Sequence, residues 1–296
     1  MDVIYRYDPF APLVAPQIPD ALAAVKLLVD GNDRFVSIVR RMQERTLGGE
    51  SGEPIIVPVS PISMGLPLYE GAMPTQAPFA VVLGCSDARV PTEAVFDQSF
   101  NDLFVLRIAG NVLGSECLGS LHYATKTFDE SIKLVVVLGH SKCGAVTAAV
   151  DTYLSVKDYA DIAFTFALRS LVDQIQIAVR GACRALEKKG GKGILEDPDY
   201  RSLLVATAVY VNAAVSALEL RRELRQHGIN GPKVVYGIYD FETLCVQALP
   251  GPLSPNPTAR LRQAPRTAEE LVAYADEVAT HLMDLGPTNY KLTMKF

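Results

Sequence analysis

From residue 79 to residue 154 one pattern repeats along the chain. A short unbroken run of apolar residues ends at a glycine or a turn, and a stretch with apolar residues at helical spacing follows. Residues 79–84 lead to a short helix near 92–96, residues 103–108 to a helix at about 115–128, and residues 133–139 to a helix from Cys143 to about Leu154. Unbroken aliphatic runs suit strands buried on both faces. Strand–helix alternation with short links predicts an α/β fold whose central, mainly parallel β-sheet is flanked by helices and wound by right-handed crossovers.

The flanking segments read differently. Residues 1–19 carry Pro9, Pro12, Pro16 and Pro19 and predict an extended arm. Asp20 is a good N-cap, and Leu22, Val25, Leu28, Phe35, Ile38, Val39 and Met42 follow at mostly helical spacing, with Asp30-Gly31 expected to break or bend the segment into two helices. Residues 48–78 form a long Gly/Pro-rich connection, read as a variable surface insertion or a partner-binding loop. Residues 162–188 and 200–227 have strong apolar stripes, split by Gly190-Gly191 and Pro198, and KVVYGIYD at 233–240 is a last strand. Residues 250–265 read as a Pro-rich linker and 267–285 as an amphipathic helix. The expected organisation is therefore an arm with helices (1–47), an α/β domain (48–249) and a C-terminal linker and helix (250–296).

Composition narrows the function classes. The net charge of −5 argues against a nucleic-acid partner, which needs a basic face. No run suggests a membrane span, and the N-terminus lacks the basic-then-apolar order of a secretory signal. Cys85, Cys117, Cys143, Cys183 and Cys245 are too few and too scattered for a disulfide framework, so a reduced, cytoplasmic setting is expected.

The candidate chemistry lies where two strands end. VVVLG at 135–139 runs straight into His140, with Cys143 three residues on, and the strand ending at Gly84 is followed at once by Cys85. Ligands gather at the carboxyl ends of parallel strands. Thiolate and imidazole suit zinc, and three protein ligands leave a fourth position open, the pattern of a catalytic rather than a structural ion. Asp87 stands two residues from Cys85, within reach of a metal or its water, and Arg89 two further on can grip that carboxylate in a bidentate pair. Cys117, Cys183 and Cys245 read as ordinary core or partly buried thiols.

These residues resemble the β-class carbonic anhydrases over about residues 20–240. Cys-Ser-Asp-Ala-Arg at 85–89 looks like the family's Cys-x-Asp-x-Arg, and Gly-His-Ser-Lys-Cys-Gly at 139–144 its Gly-His-x-x-Cys-Gly. Gly31-Asn32-Asp33-Arg34-Phe35 resembles its N-terminal helix motif, and Arg107-Ile108-Ala109-Gly110-Asn111 its Arg-Asn-x-x-Asn segment. The resemblance implies a zinc enzyme that hydrates CO2 to bicarbonate through zinc-bound hydroxide, with Cys85, His140 and Cys143 on the metal and Asp87 and Arg89 as a catalytic dyad. It implies a homodimer or higher even-numbered homo-oligomer with sites at subunit interfaces, and an N-terminal helical arm (residues 20–45) packing on the partner. Substrate contacts carried over are Gln76, Phe104, Gly110 and Tyr123. In some members the counterpart of Asp87 closes the site by binding the metal; Gln76 resembles the subgroup that stays open. Two positions depart from the pattern: Ile108 where Asn is usual, and His122 where an acid is usual, which puts a titratable base near the exit path or simply on the surface.

A zinc with two thiolates is formally neutral, so its water should be less acidic than at an all-histidine site and activity should rise with pH. Two other readings fit the same residues. One is a zinc hydrolase acting on the linear, apolar CS2 or COS. The other is a non-catalytic zinc-stabilised scaffold, against which the intact Asp87 and Arg89 argue.

Overall fold

The computed structural model describes residues 3–7, 17–48, 54–59, 70–71, 73, 75–162, 165–229 and 231–286. In chain order the elements are β1 (Val3–Tyr7), α1 (Ala21–Gly48), β2 (Ile55–Val59), β3 (Ala80–Gly84), α2 (Thr92–Val95), β4 (Leu103–Arg107), α3 (Ser115–Thr127), β5 (Leu134–His140) and α4 (Gly144–Leu154). Then come α5 (Val156–Ile162), α6 (Phe166–Gly190), α7 (Tyr200–Gln226), β6 (Lys233–Tyr239), β7 (Val246–Gln247), α8 (Pro257–Arg260), β8 (Arg262–Gln263) and α9 (Ala268–Leu285).

The main sheet has the order β4-β3-β5-β6-β7, with β8 also pairing to β6. β4, β3, β5 and β6 are mutually parallel, and the two short strands run antiparallel to β6. Side chains alternate between two cores, as the pleat requires. Val81, Leu83, Val135 and Val137 join the core built by α3, α4, α6, α7 and α9. Ala80, Val82, Leu134, Val136 and Leu138 join the core under the first half of α1. Both faces are covered, which is why these strands read as aliphatic without alternation. α7 is long and apolar enough to cross a membrane by length and composition, yet 89% of its apolar stretch is buried inside the protein, as for a core helix.

α1 runs unbroken through Asp30-Gly31, contrary to the expected break. Asp20 caps it, its Oδ1 accepting from the Ala23 amide at 2.8 Å. A Cβ on Gly31 would stand 1.8 Å from the Phe96 carbonyl oxygen. The glycine lets the helix press its backbone onto the segment after α2; it serves a close approach, not a bend. Next to it, buried Asn32 uses its whole amide. Its Nδ2 donates to the carbonyls of Val95 and Leu244, both at 3.0 Å, and its Oδ1 accepts from the Val246 amide and Arg260 Nη2, both at 2.8 Å.

The tail is part of this structure rather than a linker. Arg260, 2% exposed, also donates to Asp33 Oδ1 at 2.7 Å and to the Val246 carbonyl at 3.1 Å. β8 extends the sheet, and Tyr274 of α9 donates to the Ala248 carbonyl and packs edge-on against Tyr236. At the other end, the expected arm and the expected long loop meet: β1 and β2 pair in parallel as a separate two-stranded ribbon with Ile4, Tyr5, Tyr7 and Ile56 exposed.

Candidate metal centre

Register brings the candidate ligands together. Gly84 of β3 lies beside Leu138 of β5, so Cys85, one residue beyond the end of β3, comes level with the Gly139-His140 end of β5. Cys143 then closes the turn as the residue that opens α4. The thiol sulfurs of Cys85 and Cys143 and a ring nitrogen of His140 all lie within 4.8 Å of one another. The two sulfurs are 4.0 Å apart. Tetrahedral zinc with bonds of about 2.3 Å sets its sulfur ligands about 3.8 Å apart.

His140 is fully buried, and its Nδ1 lies 3.0 Å from the Ser141 carbonyl. That carbonyl can only accept, so the proton sits on Nδ1 and the Nε2 lone pair is left free. Nε2 is itself buried and has no hydrogen-bond partner among the described residues, an arrangement that costs free energy unless something binds there. Two soft thiols and one orphaned imidazole nitrogen fit a zinc ion. The Cys85 thiol is shifted down by its hydrogen bond with Cys143, helped by His140, against the opposing effect of burial. Cys143 is pushed up by the same Cys85 contact and by burial. Gly110 donates its amide to the Cys85 sulfur at 3.3 Å. It can do so because φ is +67°, and a Cβ there would stand 2.7 Å from Ile175.

Asp87 sits at the edge of this cluster, its Oδ2 4.0 Å from His140 Nε2. Arg89 donates Nε to Oδ1 at 3.0 Å, Nη2 to Oδ2 at 2.7 Å and its own amide to Oδ1 at 2.9 Å. These Arg89 side-chain bonds outweigh burial and hold the Asp87 carboxyl at about 2. The Arg89 guanidinium in turn lies 4.4 Å from the centre of the Phe241 ring, and the same ring packs 5.1 Å from His140.

Within residues 80–243 the chain matches the family model described as carbonic anhydrase. The chain belongs to the β-class carbonic anhydrases. It is 33% identical to a carbonic anhydrase of Mycolicibacterium smegmatis over 208 residues, 70% of this chain and 82% of that protein. It is 40% identical to carbonic anhydrase 2 of Mycobacterium tuberculosis over 129 residues, 44% of this chain and 52% of the relative. Among solved structures, one from a study of two tetrameric β-carbonic anhydrases of Sordaria macrospora aligns over 61% of this chain and 84% of that one, at 21% identity and a TM-score of 0.45. Membership makes the chain an enzyme, a carbonate dehydratase.

Not every residue carried over from the carbonic anhydrase pattern reaches the cluster in one chain. Gly110 does. Gln76 is exposed before β3, where the neighbouring Ala77 amide bonds Asn101 Oδ1; the length of β3, roughly 16 Å at about 3.3 Å per residue, lies between this end and Cys85. Phe104 sits near the start of edge strand β4, its ring 6.4 Å from Phe128, and the exposed Tyr123 packs edge-on against that same ring. His122 turns toward α7, with Nε2 3.3 Å from Glu223. Ile108 is partly buried against the helical core.

The sequence reading missed three supports. Arg107 donates Nε to the Cys85 carbonyl at 3.0 Å and Nη2 to the Asp87 carbonyl at 2.5 Å, which fixes the backbone of the Cys-Ser-Asp turn. Asn212 donates to the Gly110 carbonyl at 2.8 Å. Phe241 backs Arg89 and His140. Arg107 stood in a recognisable segment and was findable. Asn212 and Phe241 come from elements about a hundred residues away and leave no local mark.

Proposed function

We propose that this chain reversibly hydrates CO2 to bicarbonate and a proton, with zinc held by Cys85, His140 and Cys143. One observation carries the reading: two buried thiols converge with a buried, unpartnered imidazole nitrogen beside a carboxylate held ionised. When bound, zinc supplies the Lewis acidity that makes a water nucleophilic near neutral pH.

The chain's residues supply position and charge. Ser141 keeps the proton of His140 on Nδ1, so Nε2 is the donor atom. Asp87, ionised across the physiological range, accepts a hydrogen bond from the attacking water and so orients its lone pair toward the substrate carbon. Arg89 holds Asp87 in place and Phe241 backs the guanidinium, so the dyad acts from its paired, open arrangement. The Gly110 amide steadies the Cys85 thiolate.

The reading includes assembly. Gln76, Phe104 and Tyr123 contribute to a site only from a second copy, which supports a homodimer or larger even-numbered oligomer paired along the β4 edge. The exposed β1–β2 ribbon fits this, since a two-stranded ribbon alone is marginal in water. Two thiolate ligands also fit a reducing, cytoplasmic setting.

The test is stopped-flow CO2 hydration with metal analysis, comparing the protein with Asp87→Ala, on a preparation whose sedimentation mass is an even multiple of the chain. Zinc retained in both, fast hydration in the first and a loss of about a hundredfold or more in the second are expected. Zinc without hydration would redirect the reading to CS2 or COS, then to a zinc-stabilised scaffold. Protein without zinc would end it, and a monomer would end the assembly part.

A further inference from the structure

A second group of donors lies where α3 meets the carboxyl end of α7. Glu223 in the last turn of α7 and His227 at its C-cap stand four residues apart and so project from one face, while His122 comes across from α3. Glu223 Oε1 is 3.3 Å from His122 Nε2 and 3.1 Å from His227 Nε2, and the three donor atoms all lie within 4.8 Å of one another. None of them belongs to the Cys85 cluster.

We infer that His122, Glu223 and His227 form a second transition-metal site, which takes zinc or a similar divalent cation. Zinc bound by nitrogen and oxygen at about 2.0–2.1 Å sets neighbouring donors about 3.3 Å apart, close to both distances here. The ordinary alternative is an imidazole–carboxylate hydrogen bond. It does not account for His122, whose Nε2 is shielded from solvent and makes no hydrogen bond among the described residues although a carboxylate oxygen is 3.3 Å away. The spacing is that of two ligands on one ion rather than of a donor aimed at an acceptor. Two imidazoles and a carboxylate are a common zinc set, and three ligands leave a position for water. His227 is the C-cap of α7, where the unpaired carbonyls of a long helix favour a cation. An ion here ties α3, which carries Tyr123 in the next position, to the central helix of the core.

The test uses untagged, full-length protein already carrying its first zinc, titrated calorimetrically with Zn2+ and analysed for metal after dialysis. The expected result is a second equivalent per chain, lost in His122→Ala, His227→Ala and Glu223→Gln while each variant keeps the first. A Cys85→Ser variant should lose the first equivalent and still take the second. A total of one zinc per chain in the unaltered protein, with no further uptake during the titration, would overturn the inference. So would a second equivalent that all three variants retain.

Discussion

The Cys85–His140–Cys143 cluster and the His122–Glu223–His227 cluster each gather three donors within 4.8 Å, and little else about them is alike. The first is made by backbone register. Two parallel strands set Cys85 and His140 side by side, the donors are 0–5% exposed, and Arg107, Ser141 and Gly110 fix the surrounding backbone and sulfur. The second is made by side chains reaching from two helix surfaces, with side-chain exposures of 31%, 23% and 55% for His122, Glu223 and His227. The difference teaches where preorganisation comes from. In the first, folding has already met the cost of ordering the ligands. In the second, binding itself must order them, so weaker affinity and faster exchange follow.

The comparison breaks most sharply at the imidazoles. His140→Ala should abolish stoichiometric zinc at the first site and lower CO2 hydration by about a thousandfold or more, because Cys85 and Cys143 alone leave the ion without its third protein donor and the reaction without its Lewis acid. Metal analysis beside stopped-flow rates checks this, and near-normal hydration in the variant would remove His140 from the site.

A smaller effect is expected at Gly110. An alanine there takes on an unfavourable positive φ and meets Ile175 at 2.7 Å. The expected cost is about 1–3 kcal/mol, seen as a lowered melting temperature, with the second zinc equivalent unaffected. A melting temperature equal to that of the unaltered protein would mean the turn relaxes freely, and that the buried cluster is less preorganised than its packing indicates.

The smallest effect concerns a carboxyl governed by burial. Asp102, before β4, accepts the Ser99 amide at 2.8 Å, but burial dominates and raises it to about 6, whereas Arg89 holds Asp87 at about 2. A folded-state value above the ordinary one means that full stability exists below about pH 4 and is lost as pH rises through about 6. Asp102→Asn should remove that loss. The gain at pH 7 over pH 4 is at most about 3 kcal/mol, and about 1–2 kcal/mol once solvent screening is included. Parallel thermal melts of both proteins at the two pH values decide it; equal differences would show Asp102 to be solvated.

The strands and the metal-ligand spacing were legible because both are local. An aliphatic run that stops at glycine before Cys85, or before His140 and Cys143, needs no distant information. Asp30-Gly31 misled for the opposite reason: a glycine in a helix looks like a break until Phe96 is seen pressed against it. Residues 250–265 looked like a linker because prolines surround a strand of two residues, too short to show a period of its own. The ribbon was invisible because its strands lie in two segments that each read as irregular. The His122 group was noticed only as a departure at one position, since its other two members lie a hundred residues away on a helix that reads as core.

The hydrogen bond from Arg260 to Asn32 joins residues 228 positions apart. A ribosome releases the chain from its N-terminus, so α1 emerges early with a buried-type amide that lacks three of its four partners until Leu244, the strand at Val246 and the turn at Arg260 have appeared. Chains halted before that point expose a helix face meant for the sheet and carry unsatisfied groups inside it. Such chains are natural substrates for chaperones and proteases, and the cell can thereby tell a finished polypeptide from an interrupted one.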